Sequence, residues 1–554
     1  MKNFIVYRSS AGSGKTYALA VNYISLTLSK GPYAIDYYKK ILAITFTNKA
    51  AKEMKERVLH YLHVLSQKKD VDNILSEIIS KTNLSEEEIY INSKDIYSHI
   101  IHHYSDLGIQ TIDKLTYKIV KTFSSDLGMK SDFDLELDSY KIIQPVVALL
   151  ISKISKSNKD LSNVLVDFSL QKVDDGNSNN IASDLEDFCT NLFKEDYDDL
   201  LTHSSFSISD YVKVKDKLFV RRNDFINKIQ LLSNRASQFF LKNNLSVDDF
   251  NRGAFYNLFV KKLHSKNHKE WIPTNTLIKN VNDSNWYKKS LNQSSKDNVD
   301  RCQNGLRKLF DNLLSLLKDY ITLDSILKKI YPSLIINELV NEIKKYKKEH
   351  NVQHISSFNK QIHNIVTSQS SSFIFERLGE RYNHFLIDEF QDTSLLQWQN
   401  LLPLITDSLD FGKSVVVGDG KQSIYRWRAG EVEQFLNLPK IYKGTSLSYL
   451  NDWQAKIDSH YKEIKLQENY RSKKEIINFN NSFFAKLKEI LPAKLKGIYN
   501  YHEQDLNYAQ EGGYVYIDLF DSKNYKQEIL NTIINEIKIL THEKNFQFKD
   551  IAIL

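Results

Sequence analysis

The 554 residues of this chain are enough for about three or four domains with cores of their own. Lysine and arginine exceed aspartate and glutamate by 75 to 68, and the net charge of +7 is compatible with a polyanionic partner but too mild to identify one. Two cysteines, Cys189 and Cys302, exclude a disulfide framework or a four-cysteine metal site within the chain. Without an export signal or an apolar run of the roughly 18 residues that a membrane span needs, we expect a soluble, cytoplasmic protein that engages no membrane.

The first predicted elements are a buried strand and a helix joined by a loop of small residues. The strand covers Phe4–Tyr7, the loop reads Arg8-Ser9-Ser10-Ala11-Gly12-Ser13-Gly14, and the helix runs from Lys15 to Leu28. This is the layout of a phosphate-binding loop, although Ser9 stands where the G-x-x-x-x-G-K-[ST] pattern has its first glycine. The alternative is a Gly/Ser turn that happens to precede Lys-Thr.

Each remaining position of the loop has a physical role in binding a polyphosphate. Gly12 and Gly14 let backbone N–H groups crowd round the phosphates, and the helix N-terminus adds its partial positive charge. Lys15 reaches the β and γ phosphates, and Thr16 can hold Mg²⁺.

Two further strands follow in the same half of the chain. Ile41–Phe46 reads as a buried parallel strand, and the helix after it is predicted to have Asn48 as its N-cap. Gly108–Leu115 reads as a short strand that runs into a helix. The order strand, loop, helix, strand predicts an α/β sheet with ligands at the carboxyl ends of its strands, so the polar loop before the second helix lies beside the nucleotide site.

From about residue 126 to 350, apolar residues recur at helical spacing and glycine is scarce, which predicts a mostly helical inserted domain. Three lysine-rich spots lie within it, at 261–269, 288–289 and 344–348. Trp271, Trp286 and Tyr287 stand near two of them, and such mixtures can grip a nucleic-acid backbone. Solvated helix faces with core aromatics are the favoured alternative.

The α/β pattern returns at His384–Asp392, where an apolar strand ends in paired acids. Downstream of a phosphate loop, this arrangement predicts that Asp388 holds Mg²⁺ and that Glu389 orients and deprotonates the attacking water.

Two more segments supply groups that such a site can use. The strand Ser414–Asp419 leads into a loop in which Gln422 can sense a γ-phosphate and Trp427 offers a face to a base. In Leu466–Ser472, Tyr470 can stack on adenine and Arg471 can neutralise charge on the transferred phosphoryl group. Three later segments are predicted as a strand, a helix and a strand, at 513–519, 525–542 and 548–554.

Six motifs in this order resemble those of superfamily 1 DNA helicases of the UvrD/RecB type, and more closely the RecB/AddA branch. They are Ser10–Thr16, TFTNKAAKEM at 45–54, QTIDKL at 110–115, LIDEFQDT at 386–393, VGDGKQSIYRWRAG at 417–430 and ENYRS at 468–472. The glutamine that many relatives place upstream of the loop to read adenine has no counterpart here.

The resemblance implies roles for individual residues, with ATP and Mg²⁺ as cofactors. The catalytic set is Lys15, Asp388, Glu389, Gln422 and Arg471. Thr16 and Asp388 are the implied metal-binding residues. The nucleotide-binding set is Ser9, Ser10, Ala11, Gly12, Ser13, Gly14, Lys15, Thr16 and Tyr470. A single-stranded DNA track is implied at Phe46, Thr47, Asn48, Thr111, Tyr425 and Trp427.

The resemblance also implies a fold and a function. The fold is α/β, a RecA-like P-loop motor domain (1–125 and 353–470) with a large helical insertion (126–352) and the start of a second RecA-like domain (471–554). The function is ATP-dependent 3′ to 5′ translocation on single-stranded or tailed duplex DNA in repair or recombination. A subunit of a helicase–nuclease complex is a further partner that the resemblance allows. No arginine follows Arg471, so we expect the N-terminal portion of a longer helicase, with low activity alone.

Two rival functions are weighed against the motor. The first is a nucleotide-dependent DNA-binding or regulatory subunit without unwinding activity, and intact Glu389 and Arg471 favour the motor over it. The second is an unrelated phosphate-loop kinase or GTPase. The order DEFQD then GDGKQS argues against that class, and no guanine-reading N-K-x-D follows.

Overall fold

The protein is described by a computed structural model that covers residues 2–31, 34–124, 132–154, 158–174, 178–194, 207–368, 381–444, 449–520 and 525–554. The chain divides into two compact units, Met1–Ile119 with Ile362–Leu554, and Val120–Gln361. The predicted boundary between residues 125 and 126 lies outside the described residues. The assignment of ranges to named helicase domains stays a prediction.

The first unit is built on a six-stranded parallel sheet. Its strands lie in the order β3-β2-β6-β7-β1-β8. Their bounds are β1 Phe4–Arg8, β2 Ile41–Thr45, β3 Ile109–Thr111, β6 His384–Ile387, β7 Ser414–Gly418 and β8 Tyr461–Lys465; β4 and β5 belong to the second unit. The buried apolar runs that predicted the strands are explained by this topology, because a parallel sheet is covered on both faces.

Helices cover the two faces of this sheet, and the alternation along β1 shows it. Ile5 and Tyr7 belong to a core shared with the helices between residues 15 and 102, whereas the Phe4 ring lies 6.4 Å from that of Trp398, in a later helix. The helices are α1 Lys15–Leu28, α2 Asn48–Ser66, α3 Ile74–Thr82, α4 Glu86–His102, α5 Ile112–Thr122, α16 Leu395–Ser408, α17 Val432–Asn437, α18 Leu450–His460, α19 Lys474–Ile490, α20 Ala493–Lys496 and α21 Tyr525–Lys538.

The second unit is almost entirely helical, as the sequence predicts. Besides the parallel pair β4 Asp134–Glu136 and β5 Val352–His354, it contains α6 Tyr140–Ser152, α7 Lys159–Asp174, α8 Ile181–Leu192, α9 Ile208–Lys242, α10 Ala254–Val260, α11 Asn275–Asn282, α12 Gln293–Lys328, α13 Ile330–Leu334, α14 Ile336–Glu349 and the start of α15 Ile355–Ser368. The long helices α9 and α12 pack against each other. Trp271 and Trp286 are 1% and 3% exposed within this core, so the core-aromatic interpretation is confirmed for both.

Three details of the predicted elements are wrong. Thr47, not Asn48, is the N-cap of α2, because its backbone is extended and its hydroxyl accepts a hydrogen bond from the Ala50 N–H at 3.1 Å. Residues 513–519 and 548–554 form no strand, since neither segment pairs with another strand in the described ranges. The helix predicted at 525–542 is confirmed as α21 and a π-helical turn at Ile539–Glu543.

None of the helices in the described ranges combines the length and the apolar character that a membrane crossing requires.

Candidate active site

The loop between β1 and α1 has the backbone shape that its glycines predict. Gly12 and Gly14 have φ values of +76° and +82°, in the left-handed region that favours glycine. A Cβ atom on Gly12 would lie 2.9 Å from the Cβ of Arg471, and the Gly12 carbonyl accepts a hydrogen bond from the Tyr470 N–H at 3.0 Å. The loop is therefore closely approached by the 469–471 segment, and both glycines are required by geometry.

Ser9, the departure from the usual pattern, is accommodated by its surroundings. Its backbone is not in the left-handed region, so glycine is not needed there. Its N–H and its hydroxyl both donate to the Gly418 carbonyl, at 3.2 and 2.6 Å. Ser9 thus ties the start of the loop to the carboxyl end of β7.

Lys15 brings together two side chains that lie 374 and 407 residues after it in the sequence. Its ammonium group donates to both carboxylate oxygens of Glu389, at 2.8 and 2.9 Å, and to Oε1 of Gln422 at 2.8 Å. Lys15 and Glu389 are 11% and 29% exposed, so this ion pair is largely withdrawn from water. Lysine, glutamate and glutamine therefore converge at the carboxyl ends of β1, β6 and β7.

Carboxylates crowd the same place. Burial, and after it the charge of Glu389, raises the pKa of Asp388 to about 7, and the same two causes raise the pKa of Asp392 to about 6. Asp388 Oδ1 accepts from the Glu389 N–H at 3.0 Å, and Glu389 has a left-handed φ of +49°. Excess negative charge of this kind suits a cation such as Mg²⁺. Thr16 lies one residue beyond Lys15 in the first turn of α1, but no described hydrogen bond joins it to Asp388.

A buried glutamine connects Glu389 to the next loop. Gln391 is fully buried; its amide N–H donates to Glu389 Oε2 at 2.7 Å and its Oε1 accepts from the Asp419 N–H at 2.9 Å. The Asp419 carboxylate accepts from the backbone N–H of Lys421 at 3.0 Å and contacts the Lys421 ammonium at 2.7 Å. These bonds fix the turn from which Gln422 reaches Lys15.

Asn469 fixes the segment that follows β8. Its Oδ1 accepts from the backbone N–H groups of Arg471 and Ser472, both at 2.9 Å, and its amide donates to the Ala11 carbonyl at 3.2 Å. The Tyr470 side chain is 61% exposed, and its ring lies 5.0 Å from that of Tyr508. Arg471 is also exposed and forms no ion pair in the described part of the chain.

An aromatic group lies beside the carboxyl end of β2. The rings of Phe46 and Tyr425 are 4.4 Å apart, and Trp427, whose side chain is 72% exposed, lies 6.1 Å beyond Tyr425. The Arg428 guanidinium lies 5.2 Å from the Phe46 ring and pairs with Asp113 at 3.1 Å. Aromatic faces beside a cation are suited to stacking bases.

The remaining three residues of the predicted track have different environments. Asn48 is exposed, whereas the Thr47 hydroxyl caps α2. Thr111 is buried, and its hydroxyl accepts from the Lys114 N–H at 3.3 Å. For Thr47 and Thr111 the described contacts are those of helix starts, and their DNA-binding role stays a prediction.

Comparison with known proteins agrees with this geometry. The family model of the UvrD/REP helicase N-terminal domain matches residues 2–443. The chain belongs to the UvrD/REP helicase family. It is 25% identical over 597 residues to an ATP-dependent helicase/nuclease subunit of Lactobacillus johnsonii, covering 99% of this chain and 45% of that protein. It is 26% identical over 498 residues to the RecBCD enzyme subunit RecB of Borreliella burgdorferi, covering 87% of this chain and 37% of that protein. The chain thus spans less than half the length of these curated relatives.

Sequence reasoning missed four residues that shape the site of this UvrD/REP helicase chain. Gln391, Asp419 and Asn469 lie inside the recognised motifs, but the sequence does not indicate which residue each of them contacts. Gln504 donates to the Ala11 carbonyl at 2.9 Å and has no signal in the sequence, because its position depends on a contact across 493 residues.

Proposed function

We propose that this chain carries the ATP-driven motor of a DNA helicase, which moves 3′ to 5′ on single-stranded DNA in repair or recombination. The observation that carries the proposal is the bridge from Lys15 to Glu389 and Gln422, at distances of 2.8 to 2.9 Å. It joins a phosphate-loop lysine to an acid that can activate water and to an amide that can sense a phosphate. The names of the relatives, RecB and an ATP-dependent helicase/nuclease subunit, support the same function.

The residues of the bridge can exchange partners when nucleotide binds. Bound ATP and Mg²⁺ would supply the phosphoanhydride bond and a cation that neutralises charge on its oxygens. Lys15 would then leave Glu389 for phosphate oxygens, because a phosphate concentrates more negative charge than one carboxylate. Glu389, no longer neutralised by an ammonium group, is then free to orient a water molecule and accept its proton.

Two other groups complete the proposed site. Asp388 lies at the buried end of β6, where a cation would restore the charge balance of the neighbouring acids. Arg471, exposed beside Gly12, can neutralise charge that grows on the γ-phosphate during transfer. Tyr470, whose side chain is exposed, can stack on the adenine.

The loop that holds Gln422 leads directly into the aromatic residues Tyr425 and Trp427. A single strand stacked on these rings would therefore lie a few residues from the group that contacts Lys15. This continuity supports a motor in which DNA and nucleotide influence each other's binding. Phe46, packed on Tyr425, would extend the track.

The test is ATP hydrolysis by the purified chain with and without oligothymidylate, together with binding of a fluorescent ATP analogue. We expect Lys15→Ala to weaken nucleotide binding. Glu389→Gln should keep Mg-ATP binding but lower turnover by about 10²–10⁴-fold, the usual worth of a general base. Glu489→Gln, at an exposed position of α19, is the matched control for loss of one carboxylate.

The outcomes separate the parts of the proposal. Hydrolysis at the parent rate by Glu389→Gln would show that the base is another residue. A parent chain that binds no nucleotide would refute the motor altogether. A parent that binds nucleotide and single-stranded DNA, but turns over no ATP even with DNA present, would instead support the regulatory subunit.

A further inference from the structure

We propose that Gln391 is a positioning residue, which holds the Glu389 carboxylate and couples it to the loop that carries Gln422 and Trp427. The inference rests on the proposed function, since it assigns Glu389 to water activation. It adds a residue whose role lies between the nucleotide site and the DNA track, and which touches neither ligand itself.

The contacts of Gln391 are those of a connector. Its amide N–H donates to Glu389 Oε2 at 2.7 Å, and its Oε1 accepts from the Asp419 backbone N–H at 2.9 Å. One side chain therefore joins the acid after β6 to the backbone immediately after β7. The amide also lies 3.4 Å from Asp392 Oδ2, so its second N–H faces another carboxylate.

Both the amide group and the space around it are specific. Only a side chain with a donor and an acceptor can satisfy a carboxylate oxygen and a backbone N–H at once. Gln391 is fully buried, so a hydrogen bond lost at either end would not be replaced by one to water, and the loss would cost free energy. Gly418 makes the approach possible, because a Cβ atom there would lie 2.8 Å from Gln391 Oε1.

The position of Glu389 depends on this contact once Lys15 has moved to phosphate. The described hydrogen-bond partners of the Glu389 carboxylate are the Lys15 ammonium and the Gln391 amide. When the ammonium leaves, the Gln391 amide is the described donor that remains to orient the carboxylate. A donor on one oxygen leaves the other oxygen available to a water molecule.

The same side chain reports the state of the following loop. Asp419 begins the turn that ends at Gln422, and the chain continues through Tyr425 to Trp427. A shift of this loop on DNA binding would move the Asp419 N–H and, through Gln391, the Glu389 carboxylate. The coupling would be carried by two hydrogen bonds and one rigid amide group.

The test uses Gln391→Met, which keeps the length of the side chain but neither donates nor accepts as an amide does. The first readout is kcat and KM for ATP with and without oligothymidylate. We expect KM to stay within about twofold, because the phosphate loop is untouched, and the stimulation of kcat by DNA to fall at least about tenfold. The second readout is the change in affinity for oligothymidylate caused by a non-hydrolysable ATP analogue, which we expect to be lost.

Gln434→Met is the matched control. Gln434 is 1% exposed and its amide donates to the backbone carbonyls of Thr393 and Ser394, but no described hydrogen bond joins it to Glu389 or Asp419. Both variants are expected to lower the melting temperature, because each removes a buried hydrogen-bonding group. Only Gln391→Met should change DNA stimulation and nucleotide-dependent DNA affinity.

A double variant keeps the proposal testable even if stability falls. If Gln391 acts through Glu389, Gln391→Met should change kcat no further in a Glu389→Gln background. Should Gln391→Met not fold, Gln391→Leu, which is similar in volume, carries no charge and removes both the donor and the acceptor, takes its place.

Normal DNA stimulation in Gln391→Met, or the same loss in Gln434→Met, would overturn the proposal while leaving the proposed function intact. A parent chain that is never stimulated by DNA would overturn the coupling, and a parent without nucleotide binding would overturn the proposed function itself.

Discussion

Replacing Trp427 by alanine is the most direct test of the proposed DNA track. The side chain is 72% exposed, so its removal should change the free energy of unfolding by no more than about 0.5 kcal/mol. Tyr425 keeps its contact with Phe46 at 4.4 Å, and Arg428 keeps its ion pair with Asp113 at 3.1 Å. The substitution therefore removes one stacking face, together with the contact between the Trp427 ring and the Arg428 guanidinium at 5.8 Å.

The expected loss follows from the value of one base stacked on an aromatic ring, about 1–3 kcal/mol. The dissociation constant for oligothymidylate should rise about 5- to 150-fold. No charge is lost, so the slope of log affinity against log salt should stay that of the parent. Trp427→Phe, which keeps an aromatic face, should lose much less affinity than Trp427→Ala.

The assay is fluorescence anisotropy of a labelled oligothymidylate at several salt concentrations, with a melting curve for each variant. Unchanged affinity in Trp427→Ala, at an unchanged melting temperature, would refute the stacking role. A changed salt slope would mean that the substitution disturbed Arg428 as well, and the loss could not then be assigned to stacking.

Three further predictions concern the loop, a helix start and a buried histidine. Gly12→Ala should weaken binding of a fluorescent nucleotide about 5- to 30-fold. The left-handed backbone costs alanine about 1–2 kcal/mol, and the added methyl group would lie 2.9 Å from the Arg471 Cβ. Equal affinity in the variant would contradict the requirement for a left-handed residue at this position. Thr47→Ala should lower the free energy of unfolding in urea by about 0.5–2 kcal/mol, and Thr47→Ser should restore most of it if the hydroxyl is a cap. Burial lowers the pKa of His384 from 6.5 to about 4, so between these pH values the unfolded chain binds a proton that the folded chain does not. Its contribution should therefore lower the free energy of unfolding by about 1.4 kcal/mol per pH unit as pH falls through that window, and His384→Gln should flatten the slope measured by urea unfolding.

The meeting of Lys15, Glu389 and Gln422 could be predicted from sequence because it follows from topology. Each residue comes after a buried apolar run, and the carboxyl ends of parallel strands lie at one edge of a sheet. The six motifs give the site residues in their order along the chain, and the sheet order β6-β7-β1 brings three of these motifs together. The helical insertion was likewise predictable, from apolar spacing sustained over more than 200 residues.

Other features could not be predicted because they depend on partners elsewhere in the chain. Residues 513–519 alternate in polarity as a strand does, but alternation alone supplies no neighbour for the backbone. The choice between Thr47 and Asn48 as N-cap turns on one pair of backbone angles, since both side chains can accept the hydrogen bond. The contact of Gln504 with Ala11 and the connection through Gln391 are set by tertiary packing, which local patterns do not contain.

The strand order also determines when each strand can first pair with a neighbour while the chain is being synthesised on the ribosome. β1 lies between β7 and β8, so the first of its two hydrogen-bonding neighbours to be synthesised ends at Gly418, whereas β2 can pair with β3 once Thr111 has been made. At about 5–20 residues per second, β1 remains without either neighbour for about 20 to 80 seconds after its synthesis. During that interval the 120–361 unit, which has its own core, can fold while β1 stays unpaired. Among the strands of this sheet, β1 therefore waits longest for a partner, and a chaperone that shields it during translation would help the protein to fold.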